Sequence, residues 1–169
     1  MEITIEKLKW ADAEQLFEFE RENRDYFEKM VPSRGNDYYL FESFKERHQA
    51  LLEEQEQGLS YFYLIKDKDG LIIGRMNVID IDKSENSGHI GYRVGEAYTG
   101  KGIAYKALQL LLEKASNLGI KKIFAQTTTN NIASQKVLLK NGFKHIKTSE
   151  EEFKMNGQTL KFVNFKWCI

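Results

Sequence analysis

The chain has 169 residues, enough for one domain (1–169) with a sizeable core. It is 41% apolar and 30% charged, and 25 basic residues balance 25 acidic ones, so no global positive field draws it to nucleic acid or to an anionic membrane. A single cysteine, Cys168, excludes an internal disulfide and fits a reducing cytoplasm, no apolar run approaches the length of a membrane span, and the N-terminus has no signal-peptide pattern.

Residues 3–8 alternate apolar and polar side chains, which predicts a half-buried strand. Helical spacing of Leu16, Phe17, Phe19, Tyr26 and Phe27 predicts one helix over 12–29, closed by Met30, Val31 and Pro32. A second helix follows over 38–57 and stops at Gly58. Strands over 60–66 and 71–81 flank the turn-forming Asp69-Gly70, and another runs over 88–94. Residues 101–117 form an amphipathic helix ended by Gly119, followed by a strand over 121–128 and a short helix over 132–140. Strands over 143–153 and 160–167 surround the Asn156-Gly157 turn. The expected fold is α/β: one mixed, mostly antiparallel twisted sheet with helices on both faces. The strand–helix–strand unit over 88–128 is expected to be a right-handed crossover between parallel strands.

The most informative segment runs from Gly91 through Ala104. A strand ends in a glycine-bearing loop that opens a helix, aiming several amide N–H groups and a helix dipole at one spot. This pattern suits a pyrophosphate; the alternative is a glycine-rich turn that only starts a helix. A P-loop fails because Gly102 stands where the metal-binding Ser/Thr is required, and a dinucleotide fold fails because Tyr105 replaces the third glycine. Acyl-CoA fits better. Its pyrophosphate needs no metal, and its pantetheine amides can pair with a strand edge.

Thr99-Gly100-Lys101-Gly102-Ile103-Ala104 resembles the acyl-CoA signature of the GNAT N-acetyltransferases, R/Q-x-x-G-x-G/A, with Thr99 departing at its first position. The segment from Asn131 to Phe143 looks like the same family's N-x-x-S-x-x-V-x-x-K-x-G-F pattern. Its serine, Ser134, and the stretches Asn23-Arg24 and Met30-Val31-Pro32 resemble the RimJ/RimL branch, which acetylates N-termini of ribosomal proteins. The resemblance implies a GNAT-like acyl-CoA N-acyltransferase fold and transfer from acetyl-CoA, with no metal, to a primary amine. Arg93 and Val94 would then bind pantetheine and the thioester carbonyl, and the 100–104 amides of Gly100, Lys101, Gly102, Ile103 and Ala104 the pyrophosphate. Asn131 would bond the pantetheine region or serve as a helix N-cap. Ser134, or water that it holds, would stabilise the departing thiolate, because Leu138 occupies the position where many members carry a tyrosine. His89 aligns with the glutamate base of some branches, and its alternative is a structural strand histidine. His48 and His145 read as structural.

The attacking amine must be neutral. That costs about 4.6 kcal/mol for a lysine and about 1.4 kcal/mol for an α-amine at pH 7. With no obvious carboxylate base, an N-terminal α-amine is the expected acceptor. A small amine such as a polyamine or aminoglycoside, and a non-catalytic acyl-CoA-binding regulator, stand as alternatives. Tyr26, Phe27, Tyr38, Tyr39 and an acidic rim of Glu150, Glu151 and Glu152 are expected to line the acceptor side, the rim favouring cationic substrates unless it is a solvated loop. The expected localisation is cytoplasmic, without membrane or nucleic-acid partners, and exposed strand edges leave room for a homodimer.

Overall fold

The computed structural model describes residues 1–169. Strand β1 (Ile3–Lys7) leads through a 3-10 turn into helix α1 (Ala13–Glu22), which buries Leu16, Phe17 and Phe19. The single helix expected over 12–29 is in fact two: the chain turns at Asn23 and resumes as α2 (Arg24–Met30). Asn23 breaks the helix because its side chain serves the backbone. Its Nδ2 donates to the Phe19 carbonyl at 2.9 Å, and its Oδ1 accepts from the Glu96 amide at 2.9 Å. A 3-10 turn (Asn36–Tyr39) precedes α3 (Phe41–Glu56), so this helix starts later than the spacing predicted.

Next come β2 (Tyr61–Asp67), β3 (Ile72–Asp82), β4 (Ser87–Val94), α4 (Ile103–Asn117), β5 (Lys122–Thr128), α5 (Ile132–Lys140) and β6 (Lys144–Thr148). Strands β7 (Phe153–Met155), β8 (Gln158–Leu160) and β9 (Phe162–Cys168) complete the chain. Seven strands form one sheet in the order β1-β2-β3-β4-β5-β9-β6, in which β4–β5 is the one parallel pair, as the crossover predicted. The strand expected over 143–153 stops at Thr148, where three consecutive exposed glutamates follow. Beyond them β7 and β8 form a separate hairpin on Asn156-Gly157, both at positive φ (51° and 78°) as a tight hairpin turn requires. Asn156 Nδ2 donates to the carbonyls of Glu28 and Lys29 at 3.2 and 3.1 Å, so the hairpin tip caps the end of α2.

Both faces of the sheet are covered. One core joins it to α4 and α5 through Ile103, Leu108, Leu111 and Leu138; the other joins it to α1, α2 and α3 through Leu16, Phe17, Phe27 and Phe44. Strands β4 and β5 pair only between Ser87–Ile90 and Lys122–Ala125. Past that point they diverge, and the fork they leave positions the site.

Candidate active site

A cavity of about 430 Å³ opens at the fork. Tyr92, Arg93 and Val94 of β4 line it, with Thr99, Gly100, Gly102, Ile103 and Ala104 of the loop and first turn of α4. Asn131, Ser134 and Val137 enter from α5, and Tyr26, Phe27, Met30 and Val31 close the far side. Arg93, Lys136 and Lys140 are its charged lining residues, and no carboxylate is among them.

The loop between β4 and α4 is built to leave amides free. Gly102 sits at φ +76° as the residue before the helix, with no side-chain cap, and Gly100 is at φ +73°. The first amide to bond back is that of Lys106, to the Gly102 carbonyl at 3.1 Å. The N–H groups from Gly100 to Tyr105 therefore have no backbone acceptor, and they stand at the positive end of a 15-residue helix. A Cβ built on Gly100 or Gly102 meets no atom within 4 Å, so both glycines border open space in the groove. These features fit a diphosphate held without metal. Thr99, where the family pattern has Arg or Gln, instead closes the turn by donating from Oγ1 to the Glu96 carbonyl at 2.9 Å. Lys101 does not line the groove; its Nζ lies 5.7 Å from the centre of the Tyr98 ring. Gly95 anchors the loop from beneath, since a Cβ there would press on Phe19 at 3.2 Å and on Asn23 Oδ1 at 3.4 Å.

On α5, Asn131 is the N-cap: its Oδ1 accepts from the Ser134 amide at 3.1 Å. This satisfies one oxygen and leaves the side-chain NH₂ beside the groove. The Ser134 hydroxyl is 3.0 Å from the Tyr92 hydroxyl, and both residues line the cavity. Burial pushes the Tyr92 phenol above its usual range, an effect the bond with Ser134 partly offsets, so the phenol keeps its proton at neutral pH. The sequence reading missed Tyr92. Strand alternation could have found it, because it shares the α4/α5 face of β4 with Ile90 and Val94. Leu138, at the position where many family members carry a tyrosine, is a core side chain at 1% exposure.

His89 is not brought to the groove. It precedes Arg93 by four residues, ~13 Å along an extended strand, and its exposed ring packs 5.3 Å from that of Phe124 on β5. Tyr39 and the acidic run Glu150–Glu152 also lie outside it. Cys168 is exposed at the end of β9. Behind the groove, Glu20 of α1 is fully buried and takes Arg75 on one oxygen (2.9 Å) and Arg93 on the other (3.2 Å). Burial alone would raise the Glu20 carboxyl; the two guanidiniums and the Arg75 hydrogen bond outweigh it and hold the group below its ordinary value. Glu20 also escaped the sequence reading, although an acid four residues after Leu16 on the apolar stripe of α1 is the signal of a buried, paired carboxylate.

A forked sheet with a free-amide cradle at the start of its crossover helix defines an acyl-CoA-dependent acyltransferase. The chain matches the family described as acetyltransferase (GNAT) domain over residues 2–144 and belongs to that family. It is thus an acetyl-CoA-dependent N-acetyltransferase. It is similar to a probable N-acetyltransferase of Bacillus subtilis, YjcK, with 31% identity over 92% of this chain and 87% of that protein. It is also similar to the ribosomal protein uS5 alanine N-acetyltransferase of Escherichia coli, with 25% identity over 87% of this chain and 77% of that one. Among solved structures, the ribosomal-protein-S5-alanine acetyltransferase of Vibrio fischeri superposes with a TM-score of 0.89 at 25% identity, covering 99% of this chain and 93% of that one.

Proposed function

We propose that the acceptor is the N-terminal α-amine of a protein, a ribosomal protein being the class that the named relatives modify. The observation that carries this reading is the absence of any carboxylate from the groove lining. A polyamine would find no anionic partner there, and a lysine amine no strong base to strip its proton. An α-amine, with pKa near ~8, loses its proton to water at small cost. Tyr26, Phe27, Met30 and Val31 offer an apolar wall to the first side chains of a peptide.

Acetyl-CoA supplies the acetyl group activated as a thioester. The 100–105 amides hold its diphosphate, and the open β4 edge at Arg93 and Val94 aligns its pantetheine arm, with the Asn131 NH₂ as a further donor. Ser134 and Tyr92 act as one unit: Ser134 presents a hydroxyl that hydrogen-bonds the departing thiolate, Tyr92 fixes that hydroxyl, and the thiolate takes up, through solvent, the proton that the attacking amine releases. A phenol, even one raised by burial, is a stronger hydrogen-bond donor than an aliphatic hydroxyl. His89 takes no part. The test is a thiol-release assay on N-terminal peptides, the same peptides with blocked α-amines, and spermidine. Turnover confined to free α-amines is expected; spermidine acetylated with a kcat/KM equal to the peptides' would overturn the reading.

A further inference from the structure

A second cavity, about 190 Å³, lies between α1, α3, the segment over 31–40 and β3. Arg34, Arg47 and Arg75 line it, with Tyr38 and His48, and no carboxylate does. Arg34 and Arg47 sit over the Tyr38 ring, 4.9 and 5.5 Å from its centre. Arg34 and Arg75 both donate to the Tyr38 hydroxyl, at 3.0 and 3.2 Å. The neighbouring acid is Glu20, and its two oxygens are already engaged by Arg75 and Arg93. Only Arg75 and Arg93 pair with that carboxylate; Arg34 and Arg47 lie against Tyr38 and form no ion pair. Burial lowers the proton affinity of Arg93; attraction to Glu20 opposes this, and repulsion from Arg34 and Arg75 adds to it, so the net shift is downward. Stacking on Tyr38 offsets part of that repulsion but does not cancel the charge.

His48, on the same wall, is buried at 1% exposure and keeps one ring nitrogen unpaired. Because its Nε2–H donates to the Lys9 carbonyl at 2.8 Å, that Nδ1 is an acceptor in the neutral ring and would meet a ligand's hydroxyl or N–H, not an anionic oxygen. A buried polar atom without a partner is costly, and this one belongs to a residue on the cavity wall. Guanidinium forks match the geometry of carboxylates and phosphates. The cavity also adjoins the chemistry: Arg75 is the register partner of Arg93, on strands ~4.8 Å apart, and Arg93 lines the groove.

We propose that this arginine cavity binds an oxyanion, carboxylate or phosphate, carried by the acceptor, so that the enzyme selects amines bearing an acidic group close to the nucleophile. The proposal rests on the α-amine reading and adds to it a preference for acidic side chains just after the N-terminus. The sign is opposite to the one an acidic rim at residues 150–152 would impose.

The test uses the full chain and matched peptides that begin with alanine and carry aspartate, phosphoserine or asparagine at the second or third position. The wild type is expected to favour an acidic peptide over the asparagine one by about tenfold or more in kcat/KM, the scale of one charge-assisted hydrogen bond. The better of the two acidic peptides identifies the anion. Arg47→Ala is expected to collapse that ratio and Arg47→Lys to restore part of it. With CoA saturating, inorganic phosphate is expected to raise the Tm of the wild type more than that of Arg47→Ala. Equal kcat/KM for acidic and neutral peptides overturns the proposal. If no peptide is acetylated, the α-amine reading falls, and a phosphate shift that is absent or equal in both proteins overturns oxyanion binding as well.

Discussion

Gly102 carries two constraints at once, a left-handed backbone and an open face toward the groove. Gly102→Ala meets only the first and is expected to cost about 1 kcal/mol of stability, read from its Tm. Gly102→Glu adds a carboxylate at the diphosphate cradle and is expected to abolish CoA binding in calorimetry while its circular dichroism stays native. At the other end of the groove, Tyr92→Phe removes the hydroxyl behind Ser134. It is expected to lower kcat about tenfold or more while leaving the KM for acetyl-CoA near wild type. His89→Ala is expected to leave the pH–rate profile unchanged. The buried Glu20 gives a pH-dependent prediction. Its folded pKa lies below its unfolded value of about 4.3, so its contribution is fully present above that pH and is lost as pH falls through the folded value. Glu20→Gln leaves Arg75 and Arg93 uncompensated, at an expected cost of about 3–5 kcal/mol at pH 7. The gap in Tm between this variant and the wild type is expected to narrow as the pH is lowered toward 3.

Among the elements, α5 shows how a cap and a ligand can share one residue. Asn131→Asp keeps the oxygen that accepts from the Ser134 amide and removes the NH₂ group. If the NH₂ holds the cosubstrate, this variant has a wild-type Tm and a raised KM for acetyl-CoA; Asn131→Ala lowers Tm as well, by the loss of about 1 kcal/mol. The elements themselves were largely legible, because apolar periodicity and glycine stops mark β1 to β5, α4 and α5 without help from tertiary contacts. Two boundaries were not. Asn23 splits the first helix through a bond to Glu96, 73 positions away, and nothing local announces that partner. The strand after Phe143 ends at Thr148, where its pairing with β9 ends at Val163, and β9 lies between β5 and β6, an arrangement that only the assembled sheet makes. In the site, the amide cradle was legible because it is built from consecutive residues. The Tyr92–Ser134 pair and the Glu20–Arg75–Arg93 cluster were not, since each joins elements that are distant along the chain.

At the scale of the whole molecule, zero net charge conceals a division. The acids crowd the first hundred residues, and after Lys101 only Glu113 and Glu150–Glu152 remain against many lysines. Along the sheet, β1–β4 and the β5-β9-β6 group meet through four register pairs at the base of the fork. Cosubstrate held in the fork, as proposed above, would bridge the two groups. CoA at a hundred times its Kd is thus expected to add about 2.7 kcal/mol of stability, seen as a rise in Tm of a few degrees. Slowed amide exchange is expected at residues 91–94 and 126–128, and exchange unchanged there would argue against occupancy of the fork. The clasp between Asn156 and the last carbonyls of α2 has a separate consequence. It hangs the Met30 and Val31 wall of the groove on a small surface hairpin that does not line the cradle. Lengthening, shortening or recomposing that hairpin would shift the aperture and change which amines are admitted, with the cradle untouched, so descendants of this scaffold can exchange clients by editing a handful of surface residues.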